Sequence, residues 1–196
     1  MTKPTAGRPR SEESLAAILR ATNELLREQG PCAMTVEGIA RRAGVGKQTI
    51  YRWWPSKADV VLEAIMKHED MAIIAPDTGS LHDDLHECLR RVVATFSGWA
   101  GCYLRCLIVH AQMDEAFRDR FQDNFVQLQR TVLDSVFAKA GERGEINPEA
   151  DLGFADDMVF GMVWYRLLNG HAPLDDGFAA ELATAVLAYI LGCPSS

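Results

Sequence analysis

The 196-residue chain has no run approaching the roughly 20 apolar residues that a membrane-spanning helix needs. Its start, MTKPTAGRPRSEES, has no apolar core of a secretion signal. The 5 cysteines are an odd number without framework spacing, which argues against a secreted, disulfide-held scaffold. A cytoplasmic protein with no membrane partner is expected. No internal repeat or low-complexity tract is present, and no stretch sustains the alternation of apolar and polar residues that marks strands. Catalysis also lacks its parts. There is no nucleophile, base and orienter set, no glycine-rich phosphate loop and no paired-carboxylate motif, so no enzyme and no cofactor are expected.

What is present is apolar helix and unevenly placed charge. An apolar content of 48% is enough for a core, and the length suits one large or two small domains. Residues 1–68 hold 11 Lys and Arg against 7 Asp and Glu, while residues 69–196 hold 9 against 20. The whole chain, at −7, should not bind nucleic acid indiscriminately, but a basic face in its first third can release counterions from a phosphate backbone.

That first third contains TVEGIARRAGVGKQTIYRWW, from Thr35 to Trp54. The hydroxyl of Thr35 can cap a helix whose Val36, Ile39, Ala40 and Ala43 share an apolar face. Gly44 suits the positive φ that ends such a helix, Val45 is an apolar plug, and Gly46 begins the next element. From Lys47 to Trp53 about two turns follow, with Ile50 inward and Lys47, Gln48, Thr49, Tyr51 and Arg52 mostly outward. Two helices joined by a short glycine turn, the second presenting donors and cations, is the helix-turn-helix pattern.

Followed by Pro55-Ser56-Lys57, this segment resembles the DNA-binding domain of the TetR family of bacterial transcriptional regulators, a likeness covering roughly residues 12 to 60. The resemblance implies base-edge contacts from Lys47, Gln48, Thr49, Tyr51 and Arg52, and phosphate-positioning contacts from Thr35, Trp53 and Lys57. Lys57 stands at a helix start, where free N–H groups and a cation together suit a phosphate. Two positions depart from the family pattern. Gly46 stands where a serine often caps the recognition helix, and Trp53-Trp54 replaces the more frequent His-Phe, with Trp54 expected in the core. Upstream, residues 1–10 read as a disordered basic arm in which Arg8 and Arg10 either enter an A·T-rich minor groove or form a solvated tail.

The remaining chain reads as helix throughout. Ser11 is expected to cap a helix with a stripe of Leu15, Ile18, Leu19, Thr22, Leu25 and Leu26, ending at Gly30-Pro31. Ser56 and Asp59 form a capping box for another, running to about Ala72. The DNA-binding domain is thus placed at 11–72, a linker at 75–80, and a ligand-binding and dimerisation domain at 81–196. In that domain a helix from Ser80 carries Leu81, Leu85, Leu89, Val92 and Phe96, and Trp99-Ala100-Gly101 interrupts it. A short helix from Cys102 to Gln112 follows. A long one from Asp114 to Gly141–Gly144 buries Phe117, Phe121, Phe125, Leu128, Val132 and Val136. Asn147-Pro148 is read as the start of the next helix. Met158 to Leu168 is apolar all round apart from Arg166, and the last helix, capped by Asp175 or Asp176, repeats this over Ala179–Leu191. Such surfaces call for a second copy, and the resemblance implies the same, a homodimer through a four-helix bundle of the last two helices.

The resemblance also implies a small-molecule effector in the second domain. Phe96, Trp99, Tyr103, Cys106, His110, Phe121, Phe125, Trp164 and Tyr165 are the expected lining, with Arg105 and Arg166 as further polar contacts. Cys102, Cys106, His110 and Asp114 recur every four residues. Core or pocket lining is the expected role of this stripe, with redox or metal sensing as the alternative; no metal ligand is assigned. The expectation is an all-α, homodimeric, ligand-responsive repressor reading a palindromic double-stranded operator. The alternative is a nucleoid-organising protein without an effector.

Overall fold

The structure, a computed structural model, describes residues 12–68, 71 and 73–192. Among them are ten α-helices and no strand, so the fold is all-α. Arg8, Arg10 and the expected Ser11 cap lie outside the described residues. The chain divides into two compact units, one ending at Ile65 and the other beginning at Met66.

In the first unit α1 (Glu12–Ala33) buries Ile18, Leu19, Ala21, Leu25 and Leu26, and the Thr22 hydroxyl donates to the Ile18 carbonyl at 2.8 Å. Gly30 breaks it at φ 74°, ψ 173°, and Pro31 starts one more turn. α2 (Val36–Ala43) is capped as its sequence demands. The Gly38 N–H donates to Thr35 Oγ1 at 3.0 Å, and Gly44 closes the far end at φ 68°. α3 (Lys47–Trp53) starts at Gly46 without a side-chain cap and buries Ile50. Ser56 and Asp59 exchange hydrogen bonds, Ser56 N to Asp59 Oδ2 at 3.0 Å and Asp59 N to Ser56 Oγ at 3.3 Å, and start α4 (Lys57–Met66). α4 stops at Met66, short of Ala72. Met66, Met71 and Ile73 instead line a cavity with residues of the second unit, so that stretch packs with the later helices.

The second unit is built on α5 (Leu81–Ser97), which packs against α6 (Trp99–Met113), α8 (Gln127–Glu142), α9 (Leu152–Asn169) and α10 (Asp176–Leu191). The approach to α5 is tied down by Asp84, fully buried, which accepts from the Thr78 N–H at 2.6 Å and from Arg143 Nη2 at 3.2 Å. Burial alone would raise the Asp84 pKa, but the Thr78 hydrogen bonds and Arg143 outweigh it and hold the carboxyl below its usual range.

Four expectations are corrected here. The break between α5 and α6 is at Gly98, which ends one helix and begins the other, so Trp99-Ala100-Gly101 form a first helical turn. The long helix after Asp114 is not uniform: α7 (Glu115–Phe121) passes through a π turn at Gln122–Val126 into α8. A step of four along an α-helix drifts by about 40°, and the extra residue of a π turn resets the face. The buried stripe therefore continues Phe117, Phe121, Phe125, Gln129, Leu133 and Phe137, while Leu128 is 48% exposed and Val132 half-buried. Asn147-Pro148 forms a turn, with Asn147 Oδ1 accepting from the Glu149 N–H at 3.0 Å, and the cap of α9 is Asp151. Finally, Tyr165, expected to line a pocket, is 61% exposed, with its ring 4.6 Å from His171.

Candidate nucleic-acid interface

The exposed side chains of α3 form a compact polar surface. Lys47, Gln48, Tyr51 and Arg52 are exposed and Thr49 half-buried, all on a helix anchored inward by Ile50. Behind it, Trp54 is buried and donates its indole N–H to Glu63 Oε2 at 2.6 Å. The Trp53 ring meets it edge-on at 5.6 Å, which leaves Trp53 half-buried beneath the Arg52 guanidinium at 5.7 Å. The tryptophan pair thus splits its work, one ring in the core and one at the edge of the polar face. Thr35 is exposed, and because its oxygen accepts from Gly38, its hydroxyl proton is left to donate outward.

Two features of this face are not apparent from composition. Lys47 is ion-paired with Glu37 on α2 and lies over the Tyr51 ring at 5.5 Å. That hydrogen bond raises the Lys47 pKa and lowers that of Glu37. The pair is solvent-exposed and therefore weak, but it places a carboxylate beside the lysine that opens the exposed α3 face. Glu37 is the site residue that sequence reasoning missed. The signal for it was an acidic first turn on α2 facing a lysine that opens α3. Arg42, next to the exposed Arg41, grips Glu28 of α1 through both terminal nitrogens, at 2.6 and 2.7 Å, and so locks the motif to α1.

Lys57 opens α4, as expected, and its side chain turns out to have partners within the protein. Its ammonium donates to the carbonyls of Pro31 at 3.1 Å and Met34 at 3.0 Å. It clamps the end of α1 and the entry to α2 onto the start of α4, a cation satisfying carbonyls left open by a helix terminus. Two of the three ammonium N–H groups of Lys57 are thus engaged within the protein.

The aromatic residues expected at the effector site fall into two groups, the first of them around a row of rings that begins with Phe117, a residue outside that expectation. Phe117, Phe121 and Phe125 form a row of rings 6.1 and 5.2 Å apart. Phe96 lies 6.5 Å from Phe125, Trp164 lies 6.4 Å from Phe121, and His110 lies 4.9 Å from Phe117. Trp99 and Tyr103 pair separately at 5.6 Å, Tyr103 buried and Trp99 half-buried. Of all these residues only Phe125 reaches the cavity of about 90 Å³ that Met66, Met71, Ile73, Val92, Leu128 and Val132 enclose with Gln129. Three buried polar atoms around the row have no hydrogen-bond partner, His110 Nε2, Trp164 Nε1 and Gln129 Oε1. Cys102 is exposed and Cys106 half-buried. Asp114, the last member of their stripe, caps α7 by accepting from the Phe117 N–H at 2.9 Å. Among the described residues no group of three or more His, Cys, Asp or Glu is placed to share an ion.

The comparisons with known proteins agree with this geometry. Residues 18–64 match the model of bacterial regulatory proteins of the tetR family, and residues 75–186 match that of the tetracyclin repressor-like C-terminal domain. The HTH-type transcriptional regulator YdeS of Bacillus subtilis is 32% identical over 90% of this chain and 89% of its own. The DNA-binding transcriptional repressor TetR of Mycobacteroides abscessus is 27% identical over 93% of this chain and 96% of its own. Among solved structures, the TetR family transcription regulator SCO0332 superposes with a TM-score of 0.79 at 33% identity, covering 93% of this chain and 100% of that one. The transcriptional regulator FadR from Bacillus subtilis, in complex with stearoyl-CoA, shares the fold at a TM-score of 0.60 and 18% identity, covering 89% of this chain and 98% of that one.

Proposed function

The chain belongs to the TetR family of bacterial transcriptional regulators, and from that premise we propose that it is a ligand-responsive repressor that binds a palindromic operator as a homodimer in the cytoplasm. The observation that carries the DNA-reading role is the exposed face of α3, where Lys47, Gln48, Tyr51 and Arg52 stand on a helix held from behind by Ile50 and Trp54. Lysine and arginine pair with guanine, glutamine pairs with adenine, and threonine or tyrosine meets a thymine methyl or a phosphate. Thr35, Thr49 and Trp53 position the helix, and Arg8 and Arg10 extend the contact to a minor groove. The domains for these roles are 11–72 for DNA and 81–196 for effector and dimer.

The dimer reading is supported by the outer surface of α9, where Phe154, Met162, Tyr165 and Leu168 are exposed, together with Leu191 at the end of α10. No single described helix is long and apolar enough to cross a membrane. A second copy is the economical cover for this surface. The effector reading is supported by the buried Trp164 Nε1, which has no hydrogen-bond partner beside the phenylalanine row, and by Gln129 at the cavity. These ask for an apolar or aromatic molecule carrying a hydrogen-bond acceptor for the Trp164 N–H. Its binding would favour a dimer geometry in which the two recognition helices no longer fit both half-sites.

Selection of genomic fragments by the purified chain, followed by gel shifts at physiological salt, tests the reading. A preferred palindrome, with preference altered in Lys47→Ala, is expected. Equal affinity for every fragment would overturn it in favour of a nucleoid-organising role.

A further inference from the structure

We propose that His82 and His86, one turn apart at the start of α5, form a chelating pair for a divalent late transition-metal ion, Cu²⁺, Ni²⁺ or Zn²⁺. Residues four apart on a helix face each other, and here the two imidazole rings are 4.5 Å apart with a tilt of 34°. With metal–nitrogen bonds of about 2.0–2.1 Å, two imidazoles sharing one ion at a right angle bring their centres to nearly this separation. The ring separation is therefore the one that chelation by this pair requires.

The protonation pattern also fits. His82 Nδ1 lies 2.9 Å from Asp83 Oδ1. A carboxylate oxygen only accepts, so the proton of a neutral His82 sits on Nδ1, and Nε2 carries the free lone pair that a metal requires. A carboxylate holding the remote nitrogen is the arrangement that orients metal-bound histidines generally. The same carboxylate offsets the positive start of α5, which would otherwise repel a cation.

The chemistry selects the class of ion. Two imidazoles and no thiolate suit copper, nickel and zinc rather than magnesium or calcium, which prefer oxygen. With two protein ligands and a His82 side chain 67% exposed, the remaining coordination positions are open to water. Neither His82 nor His86 belongs to the residues proposed for DNA reading, to the phenylalanine row or to the Cys102–Cys106 stripe, so the proposal rests on neither the operator nor the effector.

The test is calorimetric titration of the full, tag-free chain with nickel chloride and with zinc chloride. One ion per chain is expected. His82→Ala and His86→Ala should each weaken binding by more than about tenfold, and Asp83→Ala by about tenfold, while Cys102→Ser leaves it unchanged. Binding that survives His82→Ala, or no binding by the parent chain, overturns the proposal. A second measurement needs no variant. Copper bound to the parent chain should show hyperfine coupling to two imidazole nitrogens in its electron paramagnetic resonance spectrum, and its absence also overturns the proposal.

Discussion

On the face proposed to read DNA, Lys47 is already paired with Glu37. In the proposed complex the carboxylate repels phosphate and competes for the ammonium, so it tempers affinity for every sequence. Glu37→Gln should therefore tighten operator binding several-fold and steepen its dependence on salt by about one counterion. Fluorescence anisotropy across a salt series measures both, and an unchanged slope would remove Glu37 from the site. Asp156 is a second single residue with a legible consequence. It is buried on α9, its Oδ1 lacks a hydrogen bond, and burial first, then Asp134 and Asp157 against the pull of Arg130, push it up to about 6. Because the folded pKa lies above the unfolded one, the native state keeps the proton between about pH 4 and 6 while the unfolded chain has released it. Stability is thus lost as pH rises through that window. Asp156→Asn should be more stable than the parent at neutral pH, by on the order of 2 kcal/mol, with the gap closing near pH 4. Urea denaturation at the two pH values decides it.

At the scale of elements, the helices follow from local chemistry and their breaks follow from packing. Thr35, Ser80, Asp114 and Asp175 each cap a helix where their side chains allow it. The π turn at Gln122–Val126 has no such marker. It is imposed because Phe117, Phe121 and Phe125 must stay on one face for longer than an α-helix permits, and it moves Leu128 and Val132 out of the core and to the cavity edge. The junction of α5 and α6 is similarly tertiary. A Cβ at Gly101 would lie 1.9 Å from the Phe96 carbonyl oxygen and 3.2 Å from Leu167. Gly101→Ala should lower stability by about 3 kcal/mol. Gly141→Ala on α8, where nothing lies within 4 Å, should instead gain about 0.5 kcal/mol. Thermal denaturation of both separates steric conflict from helix propensity, and equal effects would contradict the geometry.

For the whole molecule, the proposed dimer links the two units functionally, since a palindrome is read only by two recognition helices held at a defined spacing. The exposed Tyr165, with Met162 and Leu168 beside it on α9, is the test surface. Tyr165→Glu should yield a monomer in sedimentation at micromolar concentration and lower operator affinity without altering the helical content. A dimer that survives the charge would place the interface elsewhere.

The sequence by itself determined the all-α class and the helix-turn-helix, because capping residues, glycine turns and apolar periodicity act over a few neighbours, and its likeness to the TetR DNA-binding domain pointed to the family. It also placed Trp54 in the core and left the uncapped Gly46 visible at the start of α3. Only the tertiary structure decided that Lys57 clamps carbonyls of Pro31 and Met34, that Glu37 holds Lys47, and that a π turn redirects the face of α8. Each of these depends on which groups from distant segments come within hydrogen-bonding or van der Waals range, and spacing along a single helix does not contain that information.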